Sequence, residues 1–395
     1  MAIRPLTILA GANSSGKSSI MQPLLLMKQT LEAPTDPGVF LLDGPNVKFT
    51  AASQVVSRFG KEEGKGFGVR FRFVGGDDLA LTYERAAEGG FEISRMLQSG
   101  EAVEDMAIPR GWGSDLVARP VRDRCFLSLA VMPSRDAAPE SVTGVIAQKS
   151  AALVRGALSR MIHLPAMRGN PERNYRTTAV GPEFPGTFEP YVASVVHQWQ
   201  SGKDPRIQRL GEALARLGLT WGVDASRVDD TRIELKVGRS RERPSEGPAD
   251  LVSIADVGFG VSQCLPVLVA ALVAVEGQLL YIEEPEIHLH PRAQVALAEV
   301  LADAANRGVR VVVETHSSLL LTGVQALVAE GKLPPGLVAL HWFSRDEVGR
   351  THVRSAELDD AGAFGDWPED FAEVALDAQA RYLDAAERRL TSRKR

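Results

Sequence analysis

The chain has 395 residues, of which 44% are apolar and 24% charged, the profile of an ordinary globular protein with one large or two ordinary cores. A formal net charge of -5 excludes a global basic field, so contact with nucleic acid would need a local patch. Two distant cysteines, Cys125 and Cys264, without CxxC spacing, argue against a disulfide framework or a zinc site.

No apolar run approaches the roughly 20 residues of a membrane span, and the opening segment is too short for a secretory signal. A cytoplasmic chain without a membrane partner is expected. "RPLTILA" reads as a buried strand that runs into the glycine-rich "GANSSGKSS", and "SSIMQPLLLMKQTLE" continues with helical apolar spacing. Between residues 66 and 96, "FGVRFRFV", "LALTYER" and "FEISRM" alternate with period two and are separated by turns, which predicts an antiparallel meander. From about 145 to 220 the pattern is helical, in "SAALVRGALSRMIHL" and "RIQRLGEALARLGL"; residues 238–250 read as a loop or linker.

Beyond residue 251 strands and helices alternate. "LVSIADV" leads to a helix starting near Ser262, followed by the strand "QLLYIEE", the helix "PRAQVALAEVLADAANRG", the strand "VRVVVET" and the helix "SSLLLTGVQALVAEG". That order implies a parallel sheet with right-handed crossovers, closed by "LVALHWFS" and "RTHVRS". The expected organisation is an α/β head from 1–60 and 250–357, an antiparallel β segment over 61–135, a helical insertion and linker over 136–249, and a helical tail over 358–395.

Gly11 and Gly16 with Lys17 and Ser18 complete G-x-x-x-x-G-K-[ST] between a strand and a helix. Such a loop wraps backbone N–H groups around phosphates at a positive helix terminus. Asn13, Ser14, Ser15 and Ser19 complete the cradle, Lys17 neutralises the outer phosphates and the Ser18 hydroxyl ligates Mg²⁺. A second acidic anchor and a base for the attacking water are expected at the end of a neighbouring strand. Glu283 and Glu284, ending "LLYIEE", suit those roles in turn. His316, ending the next strand, either reads the γ-phosphate or merely belongs to the helix-capping turn "THSS". A metal site built from His288, His290 and His316 lacks supporting spacing.

Phosphate loop, long insertion, "DVGFGVSQ", "IEEPEIHLHP" and "ETHS" together resemble the ABC-type ATPases of the SMC and OLD (overcoming lysogenization defect) group, most closely bacterial stand-alone OLD-like ATPases found in anti-phage defence systems. "IHLPAMRGNPERNYR" and "FGDWPEDF" extend the likeness over most of the chain. The resemblance implies an ATPase using ATP and Mg²⁺, and a homodimer whose nucleotides bridge the subunits. Gly258, Gly260, Ser262 and Gln263 would be the signature that touches the other subunit's γ-phosphate. Glu283 would be the Walker B acid, Glu284 the catalytic glutamate, His290 a D-loop residue, His316 the switch histidine and Gln54 the Q-loop ligand of the metal shell. In relatives a strand or hairpin before the loop often carries the adenine-stacking aromatic; here the loop begins at residue 11 and adenine recognition has no assigned residue.

About 80 residues follow His316, too few for the Toprim nuclease domain of OLD proteins, so the effector, a nuclease or another protein, is expected to be separate. The alternatives are an ATPase subunit of a membrane transporter, against which the missing LSGGQ wording counts, and a non-hydrolysing scaffold, against which Glu284 speaks. Arg168, Arg173 and Arg176 beside Tyr175 either contact nucleic acid phosphates or pair with local acids. The terminal "TSRKR" reads as a solvated tail.

Overall fold

A computed structural model describes residues 1–59, 62–103, 116–133, 148–240 and 250–365, with a few isolated positions besides. Most of the tail read as helical, including "TSRKR", and the centre of the 238–250 loop fall outside the described residues.

The chain opens with strand β1 (Leu6–Gly11) and helix α1 (Lys17–Glu32). A small pair, β2 (Arg58–Phe59) and β3 (Glu62–Glu63), precedes the meander of β4 (Gly66–Arg72), β5 (Asp78–Arg85), β6 (Phe91–Gln98) and β7 (Glu101–Ala102). A second antiparallel sheet follows, from β8 (Val117–Asp123), β9 (Phe126–Met132) and β10 (Gly144–Ile146). Next come α2 (Lys149–Ser159), β11 (Ile162–Leu164), β12 (Tyr175–Arg176), α3 (Val192–Ser201), α4 (Arg206–Arg216), β13 (Val223–Arg227), β14 (Arg232–Gly238) and β15 (Leu251–Ser253). The last third holds α5 (Phe259–Val273), β16 (Leu279–Glu283), α6 (Pro291–Asn306), β17 (Arg310–Thr315), α7 (Ser318–Ala329), β18 (Val338–Arg345) and β19 (Thr351–Ala356).

Six strands form the central sheet in the order β11-β16-β17-β1-β18-β19, parallel except for the antiparallel edge strand β19. Successive side chains of a strand face opposite ways, and the sheet uses both faces. Leu6, Ile8, Val311, Val313, Leu280 and Ile282 join one buried cluster with α3 to α7. Leu9, Val312, Tyr281 and Phe343 join another with α1, α2 and the antiparallel sheets. The sheet is therefore the middle layer of the molecule, and its strand ends emerge between the two cores.

Two expectations need correction. The helix read over "SAALVRGALSRMIHL" ends at Ser159, and Ile162–Leu164 pairs with Leu280–Ile282 as the edge strand of the central sheet. Residues assigned to a separate insertion thus belong to the sheet that carries the site. The rest of that insertion holds the expected helices and, in addition, the antiparallel strands β12 to β14, joined by β15. Among the described residues no helix is long and apolar enough to cross a membrane.

Candidate functional site

The C-terminal ends of β1, β16 and β17 lie side by side, and the sequence places a reactive segment after each. After β1 the backbone turns through left-handed conformations at Ser14 (φ 61°) and Gly16 (φ 100°), and Gly11 has φ 146°. A Cβ on Gly11 would lie 2.2 Å from the carbonyl oxygen of Phe343 on β18, so only glycine fits there. Thr351 on β19 donates to the Ser15 carbonyl at 2.9 Å and holds the loop from outside. Asn13, Ser14 and Ser19 are exposed, whereas Ser15 is buried and its hydroxyl has no hydrogen-bond partner.

Lys17, only 3% exposed, donates to the carbonyls of Gly11 and Ala12 at 3.1 and 2.9 Å. Burial lowers its pKa, and the charges of Glu314, Glu284 and Glu286 oppose that fall.

The hydroxyl of Ser18 donates to Glu314 at 2.8 Å. Glu283, the acid expected beside Ser18, is engaged elsewhere: its carboxylate meets His163 Nε2 at 3.1 Å and the Ala166 N–H at 3.2 Å. The reason is register. Glu283 pairs with Glu314 across β16 and β17, and β17 is the strand that adjoins β1, so Glu314 is the nearer acid. Tyr281 donates to the other oxygen of Glu314 at 3.0 Å. Burial raises the Glu314 pKa, while the bonds from Ser18 and Tyr281 oppose that rise. Burial would also raise Glu283, but His163 and the Ala166 N–H bring it below its usual value.

Glu284 begins the turn after β16 with φ 42°, and its N–H donates to the Glu314 carbonyl at 2.8 Å. Its carboxylate lies 3.7 Å from His316 Nε2. His316 is held by Glu286, which accepts from the His316 N–H at 2.8 Å and from Thr315 at 2.7 Å. The second oxygen of Glu286 is buried without a partner. Burial first, then nearby Lys17, lowers the His316 pKa and favours neutral imidazole. The capping of α7 falls to Ser317, which accepts from the Leu320 N–H, so His316 is left facing the phosphate loop.

Around the segment read as a signature, α5 begins at Phe259, three residues earlier than expected, and Ser262 is half-buried with its hydroxyl donating to the Phe259 carbonyl at 3.1 Å. Gly258 precedes the helix, and a Cβ on Gly260 would meet the His288 carbonyl at 3.4 Å. Gln263 is turned inward. Its amide donates to the carbonyls of Arg168 and Gly169 at 2.7 and 2.9 Å, so its side chain does not face a second subunit as expected.

Arg168, 4% exposed, answers by donating to the carbonyls of Gln263 (3.2 Å), Glu283 (2.5 Å) and Glu284 (3.2 Å). Arg168, read as contacting nucleic acid phosphates or pairing with local acids, is instead a buried clamp between the start of α5 and the Glu283–Glu284 turn. Arg173 pairs with Asp256 at 2.7 Å, the local-acid reading of that cluster. His290 is an exposed N-cap of α6, accepting from the Arg292 N–H. Gln54 is exposed and its carboxamide oxygen accepts from the N–H groups of Thr50 and Ala51, capping its own turn.

A triphosphate and a divalent cation fit these groups. The glycine-bounded loop, the buried unpartnered Ser15 hydroxyl and Lys17 offer donors to phosphate, and Ser18 with Glu314 offers two hard oxygens at the loop's end. Among the described residues no three His, Cys, Asp or Glu side chains form a metal cage.

Residues 210–322 match a family model described as "AAA domain, putative AbiEii toxin, Type IV TA system". No curated protein matches the chain. Among solved structures, an SMC head bound to the C-terminal winged-helix domain of ScpA is similar over 91% of this chain and 93% of its own, with 11% identity and a TM-score of 0.52. The SMC head domain from Thermotoga maritima matches over the same shares at 10% identity and a TM-score of 0.42. The fold is that of SMC-head, ABC-type P-loop ATPases.

Sequence reasoning missed Glu314, Glu286 and His163. The first two were visible as acids within "EPE" and "ETHS", but nothing in the spacing ranks Glu314 above Glu283 for Ser18.

Proposed function

We propose that the chain is an ATP-binding and ATP-hydrolysing switch that closes as a homodimer. The observation that supports it best is the meeting of Lys17, Ser18–Glu314 and Glu284–His316 at adjacent ends of three parallel strands. In this reading the loop and Lys17 bind the phosphates. Mg²⁺, held by Ser18 and Glu314 with Glu283 behind them, neutralises phosphate charge when bound. Glu284 orients and deprotonates the attacking water, and neutral His316 hydrogen-bonds the γ-phosphate while touching Glu284. Ser262 and the first N–H groups of α5 contact the nucleotide of the other subunit.

Residues 1–60 and 250–357, with β11, act as the head, and closure gates a separate effector or follows the sensing of nucleic acid. The anti-phage setting is the part of the reading carried by the sequence resemblance. The decisive experiment pairs two variants. Lys17→Ala should abolish tight ATP binding in a direct titration, and Glu284→Gln should bind ATP normally while releasing phosphate at least ~100-fold more slowly, the scale of a lost general base. Unchanged affinity in the first variant, or normal turnover in the second, overturns the assignment.

A further inference from the structure

Glu283 is engaged by a chain of polar groups that starts on α1. His163, on the edge strand β11, has a fully buried side chain, and its Nε2 stands 3.1 Å from Glu283 Oε1. Its other ring nitrogen, Nδ1, lies 3.0 Å from the side-chain amide nitrogen of Asn46. That amide nitrogen also donates to the Gly186 carbonyl at 3.0 Å. Asn46 is in turn fixed by Gln29 of α1, 1% exposed, whose carboxamide oxygen accepts from the N–H groups of Asn46 and Val47 at 3.1 and 3.0 Å.

These contacts determine where the His163 proton sits. A carbonyl oxygen only accepts, so the group facing Gly186 is the Asn46 NH₂, whose second hydrogen serves His163 Nδ1. Turning the amide over would set two carbonyl oxygens against each other, even though Asn46 Oδ1 is buried without a partner as it stands. Nδ1 is therefore the acceptor, and an imidazole whose Nδ1 is bare carries its hydrogen on Nε2, where it donates to Glu283. The ring is also located by Tyr281, its cross-strand partner, with centroids 5.4 Å apart and planes within 8°. Tyr281 donates to Glu314, so one face of the sheet carries the ring, the phenol and both carboxylates.

We propose that His163 is a positioning residue for the metal shell: with Asn46 fixing its tautomer, it holds the Glu283 carboxylate in one orientation beside Glu314. Glu283 and Glu314 are paired across β16 and β17, and like charges at that spacing repel. Glu283 stays in place because donors stand behind it, the His163 Nε2–H on one oxygen and the Ala166 N–H on the other. The metal role rests on the proposed ATPase reading, whereas the tautomer and the donation to Glu283 do not.

The test has two arms. In the parent chain carrying isotope-labelled histidine, the NMR nitrogen resonances of His163, assigned by their loss in His163→Gln, should show a hydrogen on Nε2 and a bare Nδ1. A proton on Nδ1, alone or with one on Nε2, overturns the proposal. The second arm compares two amides. In His163→Gln the side-chain nitrogen reaches the place of Nε2, whereas in His163→Asn it reaches only the place of Nδ1. The readout is the Mg²⁺ concentration that half-saturates the rise in melting temperature produced with a non-hydrolysable ATP analogue. It should increase at least about tenfold in His163→Asn, the scale of lost support behind a metal ligand, and stay within about threefold of the parent in His163→Gln. Both variants are compared at matched metal-free affinity for the analogue. Unchanged Mg²⁺ dependence in His163→Asn, or an equal loss in both variants, overturns the positioning role. A parent chain without any Mg²⁺-dependent shift, or a Lys17→Ala variant that keeps it, overturns the ATPase reading and the metal role with it, while the tautomer is still decided by NMR.

Discussion

At the scale of single residues, the pair Ser18–Glu314 decides how the metal shell would be built. The hydroxyl is fixed by a carboxylate that Tyr281 also grips, so Glu314 holds one orientation before any cation arrives. Glu314→Gln should therefore raise the Mg²⁺ concentration needed for half-maximal ATPase activity by about 10- to 100-fold, the usual effect of losing a group that orients or joins a metal shell, with ATP binding in the absence of metal little changed. If Glu283→Gln alone has that effect, the metal acid is Glu283 after all. A second residue-scale consequence involves His341, buried on β18 between the Ser355 hydroxyl and the Ala2 carbonyl, each 2.8 Å away. Burial lowers its pKa in the folded chain. As the pH falls through the unfolded value near 6.5, the unfolded chain takes up a proton that the native chain refuses. Stability is then lost between that pH and the lower folded pKa, and levels off below it. His341→Gln should flatten the fall of the melting temperature between about pH 7 and pH 5.5 relative to the parent, and equal slopes would remove His341 as a cause.

At the scale of elements, the phosphate loop is held by its neighbours as much as by its own sequence. Gly16 is in the left-handed region, and a Cβ there would also lie 2.5 Å from the Thr351 hydroxyl on β19. Gly16→Ala should cost on the order of 1–2 kcal/mol from the backbone conformation alone, read in denaturant melts, and adding Thr351→Ala should not restore it, because removing the hydroxyl leaves the φ value unchanged. Full rescue by Thr351→Ala would show that contact, not conformation, sets the cost. The loop, α1, and the strands β1, β16, β17 and β18 were legible because apolar runs stop at glycine, acid or capping residues. The edge strand β11 was not, since three residues directly after α2 continue its apolar pattern and are too few to display a period of two. Strands β12 and β13 were hidden by their shortness and charge, whereas the seven residues of β14 alternate apolar and charged side chains and carry a legible strand signal. The site was legible in its residues but not in its pairings. Which acid meets Ser18 depends on strand register, and the inward turn of Gln263 and Arg168 depends on packing between segments 95 residues apart.

For the whole molecule, the two ends of the candidate catalytic apparatus are joined inside one chain. The Arg168–Gln263 clamp ties the start of α5, which would meet the partner's nucleotide, to the turn that carries Glu284 beside the chain's own nucleotide. A subunit whose α5 is pressed by a partner's γ-phosphate would therefore have its own Glu284 turn held at the same time, so that closure and chemistry belong to the pair. In the proposed function that pair is a two-fold dimer with two composite sites, each taking Lys17 from one chain and Ser262 from the other. Ser262→Arg should leave ATP binding by the isolated chain within a few-fold of the parent and abolish turnover, because the bulky cation blocks the second anion site while the phosphate loop stays intact. Mixing it with Lys17→Ala then gives heterodimers in which one site carries both lesions and the other carries neither. Phosphate release by that mixture should rise well above either variant alone, with statistical mixing placing half the dimers in the heterodimeric form. A mixture that stays inactive, while the parent chain mixed with either variant remains active, would mean that each chain completes its site without Ser262 of the other.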